Sequence, residues 1–357
     1  MEVSRLSLLE SRLGATWRHI NSSREMAART RAQLKSCLAG IDSEDTSIVI
    51  FGSLARNEFT EGSDIDWTLL LDGSADPTHL ALARKIKEAV DKIAEKQPGR
   101  EGTLGNMAFS HEIIHQIGGE DDTNRNTTLR NLILLESDFV GRSEAYERIF
   151  KAVLQRYILE DVGFCRGSAQ YQVPRFLLND FARYWRTMAV DFAYKQRSRF
   201  GEGWALRNIK LRMSRKLIYV SGLLTCFSFH LGFDERLGPL RCQGLTGPQE
   251  CIERLRTLLR YSPLEILATT LLMRYEHLEP TARKLLNAYD AFLGMLADKE
   301  TREHLDKLPP DADQSDAVYQ EARSISHDFR DGLIELFFDG KDEKTALSKL
   351  TQIYGVF

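Results

Sequence analysis

The stretch that most constrains this chain runs from Ile48 to Asp72, IVIFGSLARNEFTEGSDIDWTLLLD. It holds two short apolar runs, Ile48 to Phe51 and Trp67 to Leu71, whose β-branched and aromatic residues read as buried strands. Gly52-Ser53 breaks the first run and starts a turn or helix, and Asp64-Ile65-Asp66 leads directly into the second. Residues i and i+2 of a strand share a face, so Asp64 and Asp66 stand side by side at the edge of a core. Two carboxylates that close need a shared proton or a cation between them. A hard divalent ion, Mg²⁺ or Mn²⁺, takes carboxylate oxygens and keeps positions open for phosphates. Gly52 lets the backbone approach a phosphate closely, and the N–H groups that follow, with the Ser53 hydroxyl, make an anion cradle. A triphosphate held at Gly52-Ser53 and bridged by metal to Asp64 and Asp66 is a phosphoryl- or nucleotidyl-transfer site.

The order strand, Gly-Ser, a ten-residue spacer, then Asp-hydrophobic-Asp resembles the nucleotidyltransferase signature of the DNA polymerase β superfamily. The fuller string GSxARxExTxxSDID is similar to its bacterial branch, which includes minimal nucleotidyltransferases and the uridylyl- and adenylyltransferases that modify nitrogen-regulation proteins. The resemblance implies an α/β (α+β) core with a mixed sheet, followed by a large all-α region, with the active site in the cleft between them. It implies two Mg²⁺ ions on Asp64 and Asp66 and a third carboxylate from a neighbouring strand. Glu112 is the preferred third ligand because it lies in an apolar stretch; Asp121 and Asp122, beyond Gly118-Gly119, are the alternatives, and a helix start capped by Ser110 is the structural reading of Glu112. Arg56 and Glu58 are expected to brace the loop. The helical domain of such enzymes gives a lysine or arginine to the triphosphate, which points to Lys210, Arg215 and Lys216 in WALRNIKLRMSRKLIYVSGLL, with Arg183, Tyr184 and Arg186 nearby. The plain alternative is a row of cations snorkelling from a surface helix.

A second motif competes. His111-Glu112-Ile113-Ile114-His115 is literally HExxH, which on a helix would offer two histidines to zinc and Glu112 as general base. On a strand, His111 and His115 would face away from Glu112 and the zinc-hydrolase geometry would fail.

At 357 residues the chain suggests two or three domains. The expected division is a helical lead-in (1–45), a nucleotidyltransferase core (46–142), a helical substrate- or nucleotide-binding domain (143–235) and a C-terminal helical subdomain (236–357). Helices are predicted within 4–40, over 77–95, over 126–142, through Tyr146 to Ile158, from Pro174, and almost continuously beyond 251, with loops at 167–172 and 231–250. Arg125 and Arg130 are among the candidates to reach a phosphate, with solvated helix-surface arginines as the plainer reading. The hydrophobic content of 43% with 28% charged residues is that of a globular protein, and the net charge of -3 argues against coating nucleic acid through the overall field while leaving room for a local basic groove. No apolar run reaches the ~18 residues of a membrane span and the N-terminus lacks a signal-peptide core, so a cytoplasmic protein with no membrane partner is expected. Cys37, Cys165, Cys226, Cys242 and Cys251 have no paired spacing and are expected to be reduced.

Four functions are weighed. The first is Mg²⁺-dependent transfer of an NMP or dNMP from a nucleoside triphosphate to a protein, a small molecule or an RNA end. The second is synthesis of an oligonucleotide or nucleotide second messenger, as in bacterial toxin and antiviral-defence relatives. The third is a catalytically silent nucleotide-binding regulatory module, against which the intact Asp64/Asp66 pair counts. The fourth is the HExxH zinc hydrolase. The C-terminal helices are assigned packing, homo-oligomerisation or recognition of substrate shape.

Overall fold

The structure, a computed structural model, describes residues 4–94, 104–161, 173–231, 247–273, 275–312, 315–338 and 346–356. The chain divides into two compact units, one of residues 21–160 and one of residues 1–20 with 161–357. The loops predicted at 167–172 and over most of 231–250, and Cys165 and Cys242 with them, lie outside the described residues.

After α1 (Arg5–Leu13) and α2 (Arg18–Cys37), the first unit is built on β1 (Thr46–Phe51), α3 (Gly52–Ala55), β2 (Asp66–Leu71), α4 (Thr78–Ile93), β3 (Asn106–Phe109), α5 (Ser110–His115), α6 (Asn124–Leu135), β4 (Ser137–Val140) and α7 (Glu144–Leu159). The strands form one mixed sheet in the order β3-β2-β1-β4, with β2 and β3 parallel and the other pairs antiparallel. The period-two pattern of β1 and β2 sorts the side chains onto two faces. Ile48, Ile50, Ile65, Trp67, Leu69 and Leu71 bury one face against Ala27 and Leu34 of α2, Leu38 just beyond its end, and Ala83, Ile86 and Val90 of α4. The opposite face meets α7, where the Tyr146 N–H donates to Ser47 Oγ at 3.1 Å.

The leucine-rich segment 126–142 predicts one helix, but α6 stops at Leu135, Glu136 leaves helical geometry (φ -150°), and 137–140 becomes strand β4 on the open edge of β1. Four residues with two polar ones give no strand periodicity, so pairing with β1 decides their conformation. Arg130 is a second correction. It is fully buried, not on a helix surface: its Nη2 reaches Asp122 Oδ2 at 3.0 Å, its Nε donates to the Tyr157 hydroxyl at 2.6 Å and its Nη1 to the Gln116 carbonyl at 3.2 Å. Asp122 also accepts from the Gly118 N–H at 2.9 Å. This carboxylate is thereby committed to holding the loop before α6.

The second unit is helical among its described residues: α8 (Arg175–Ser198), α9 (Trp204–Lys210), a π-helical turn (Leu211–Arg215), α10 (Lys216–Phe227), α11 (Pro248–Leu258), α12 (Pro263–Met273), α13 (Tyr275–Ala297), α14 (Lys299–Lys307), α15 (Ala317–Phe338) and α16 (Ala346–Leu350). Its N-terminal helix α1 is tied in by Glu265 of α12, whose carboxylate accepts from the N–H groups of Arg5 at 2.8 Å and Leu6 at 3.3 Å. A buried carboxylate facing a helix N-terminus satisfies donors that the helix itself leaves open. No helix among the described residues is long and apolar enough to cross a membrane.

Candidate active site

The site is assembled where β1 runs out. Phe51 pairs with Asp66 across the antiparallel ladder, so the residue after Phe51 comes to lie beside the Asp66 carboxylate. That residue is Gly52, at φ +67°, a conformation costly for other L-residues. A Cβ placed there would meet Asp66 Oδ2 at 3.1 Å. Glycine at 52 is therefore favoured by the turn, and any Cβ there would press on the Asp66 carboxylate.

Ile65 is fully buried in the α2/α4 core with Trp67 and Leu69. By strand alternation Asp64, Asp66 and Thr68 take the other face, as the sequence implies. Both aspartates are half-buried and Thr68 is buried. The half-buried Ser53 accepts the Glu58 N–H at its carbonyl, 2.8 Å, which closes the short α3 turn.

The ten residues between Ser53 and Asp64 are held from several sides. Arg56 is buried and ion-paired with Glu58 at 2.9 Å and with Glu136, at the end of α6. It braces the loop, as expected, and none of these three residues need touch a substrate. Asn57 takes a left-handed φ of +61°, tolerated best by glycine and by short polar side chains, and its Oδ1 is held by Arg31 of α2. Arg31 also donates to the Leu54 carbonyl at 3.1 Å; burial draws its guanidinium below the ordinary value, with Asp138 acting in the opposite sense. The chain then reverses through Thr60-Glu61-Gly62-Ser63, where Ser63 Oγ accepts the Thr60 N–H at 3.2 Å and the Ser63 N–H returns to the Thr60 carbonyl at 3.0 Å. Gly62 supplies the positive φ of +74° that this turn requires. The Thr and Ser of the motif thus aim Asp64 at the mouth of β2; Thr60, Ser63 and Asn57 had no assigned role from spacing alone.

The remaining predicted residues are placed differently. Glu112 is exposed in the first turn of α5, between His111 and His115, and β3 itself carries no carboxylate. Asp121 is exposed in the loop before α6. The HExxH segment is helical, so strand geometry does not rule out the paired histidines: their ring centroids lie 5.0 Å apart. Among the described residues, however, no group of three or more His, Cys, Asp or Glu side chains is placed to hold a metal ion, either there or around Asp64 and Asp66. Lys210, Arg215 and Lys216 lie in the second unit, on and beside the π turn, and Arg183, Tyr184 and Arg186 lie on α8 of that unit.

The donor set suits a hard divalent ion: two oxygen ligands on one strand face, at a backbone position kept free of a side chain. Comparison with known proteins agrees with the geometry. Residues 31–98, from the middle of α2 through β1, the Gly-Ser turn, β2 and α4, match the nucleotidyltransferase domain family. The matched segment contains Gly52, Ser53, Asp64 and Asp66 and ends before Glu112. No curated protein and no solved structure matches the chain.

Proposed function

Residues 31–98 being a nucleotidyltransferase domain of the polymerase β-like kind, we propose that this protein transfers a nucleoside monophosphate from a nucleoside triphosphate to an acceptor hydroxyl, releasing pyrophosphate. The observation that carries this reading is Gly52 beneath Asp66, so close that a Cβ at position 52 would meet Asp66 Oδ2 at 3.1 Å. In this reading the Gly52-Ser53 backbone and the Ser53 hydroxyl bind the β- and γ-phosphates. Asp64 and Asp66 would hold Mg²⁺ or Mn²⁺, which supplies neutralisation of phosphate charge and activation of the acceptor hydroxyl when bound. The Thr60–Ser63 turn and the Arg56 bracket keep the two carboxylates in register with the phosphates, so that little reorganisation remains when the substrate arrives. Glu112 enters as a further ligand only if its loss matters, and Glu112→Gln is the contrast.

The test incubates the full chain with Mg²⁺ and each labelled NTP and dNTP, alone and with nucleic-acid or protein acceptors. Asp66→Ala is expected to lose at least ~10³-fold in rate, since a metal site contributes several kcal/mol to the transition state. Incorporation that survives Asp66→Ala, or that never occurs, overturns the reading. Equal loss in Glu112→Gln would make Glu112 a third member of the site.

A further inference from the structure

In the second unit, taken by itself, two helical rows meet that are far apart in the chain. Trp204, Asn208, Arg212 and Lys216 follow at four-residue intervals through α9, the π turn and the start of α10. Tyr319, Arg323, His327 and Arg330 run along one side of α15. The rows are pinned at one end: the Trp204 and Tyr319 rings lie 4.9 Å apart, and the Tyr319 hydroxyl donates at 3.1 Å to Asn208 Oδ1, which also accepts from Arg212 Nε at 2.8 Å.

Beyond that pin, cations face cations. Lys216 is held below its ordinary value by burial and then by Arg212 and Arg330. His327 is lowered by burial and then by Arg330, Arg212 and Arg323. Among the described residues the carboxylate acting on both is Asp331, already bound by Arg330 Nε at 2.8 Å. The Nε of Arg323 is buried with no hydrogen-bond partner among the described residues. Like charges gathered in a partly desolvated place destabilise the chain that holds them unless an anion joins them. The π turn between α9 and α10 adds to this, since such turns inside α-helices concentrate at functional sites.

We propose that the cluster Arg212, Lys216, Arg323, His327 and Arg330 binds the phosphate backbone of a single-stranded nucleic acid. Calling that strand the acceptor rests on the transfer reading above; binding does not. Length favours a strand over one phosphate: Arg323 to Arg330 covers about 10 Å of helix, against the ~3.4 Å rise of each nucleotide along its strand. Contacts of this kind position a strand without reading its bases, in keeping with a chain whose net charge of -3 gives no general affinity for nucleic acid.

The test measures anisotropy of labelled single-stranded RNA and DNA oligonucleotides with the full chain, in EDTA and without nucleotide. Binding is expected to weaken with salt at a log–log slope of about -0.7 for each phosphate engaged. Arg323→Gln with Arg330→Gln is expected to weaken it roughly 10- to 100-fold and to flatten that slope, and the exposed Arg330→Gln alone, which leaves the packing intact, should give about a tenfold loss. The Arg→Lys double variant should keep most of the affinity. No binding of either strand at low salt, affinity unchanged in both Gln variants, or equal displacement by ATP or inorganic phosphate at the strand's own concentration overturns the proposal. Extension of the bound strand by the wild type but not by Asp66→Ala makes it the acceptor. Tight binding without extension, while nucleotide is transferred elsewhere, overturns that assignment and leaves the transfer reading standing.

Discussion

Arg130 on α6 is fully buried and Arg323 on α15 half-buried with its Nε out of reach of solvent, yet their surroundings are opposite. Around Arg130 the chain brings Asp122, the Tyr157 hydroxyl and a backbone carbonyl, so a buried charge is matched and its donors used. Arg56, bracketed by Glu58 and Glu136, follows the same rule. Around His327, one turn along α15 from Arg323, stand Arg323, Arg330 and, from the facing helix, Arg212, with Asp331 as the opposing carboxylate, while the Nε of Arg323 is buried with no hydrogen-bond partner among the described residues. The first arrangement spends cations on holding loops in place; the second leaves positive charge to be met from outside. An arginine's work is set by what packs opposite it, and helix position alone does not distinguish the two.

The sharpest way to break the comparison is to remove each charge. Arg130→Met strands Asp122 in the interior and is expected to cost about 3–5 kcal/mol in urea unfolding. Arg323→Gln strands no carboxylate and should shift stability by no more than about 0.5 kcal/mol. Equal losses at the two positions would erase the distinction. Within the first unit, Gly52→Ala forces a left-handed residue and pushes Asp66 aside; about 1–2 kcal/mol of stability should go, with roughly a 10²-fold fall in kcat. Ser63→Ala removes one clamp from the turn before Asp64, and about 1 kcal/mol is expected from the unfolding midpoint. The smallest effect is on pH. His327 is depressed in the free chain, so below its ordinary titration range it resists taking a proton; a phosphate beside it reverses that, and binding takes up a proton. Strand affinity should therefore rise as the pH falls from about 8 to 6, and His327→Gln should flatten the profile, with Arg212, Arg323, Arg330 and Asp331 unchanged.

The candidate transfer site was largely legible because its parts are local. Strand alternation carries Asp64 and Asp66 to one face, and Gly52 follows from the turn, although its closeness to Asp66 needed the β1–β2 register. The candidate for a third carboxylate was less legible. Glu112 sits in a six-residue helix that begins directly after β3, and an apolar neighbourhood in sequence does not say which side of such a junction faces Asp64 and Asp66. Helix α14 shows little apolar periodicity in sequence because KETREHLDK is almost wholly polar, with Arg302 and Leu305 its buried residues.

What the sequence determined by itself is the two strands, the Gly-Ser turn between them and the shared face of the two aspartates, because these follow from local spacing and strand pleat. The cation spacing on α15 was present in the sequence too, as Arg323, His327 and Arg330, but its meaning was not. Whether acids or further cations stand against those residues depends on which helix packs there, and side chains separated by more than a hundred residues meet only through the burial of the apolar faces beneath them. Tertiary structure alone decided that Arg130 would find Asp122 and that His327 would face Arg212.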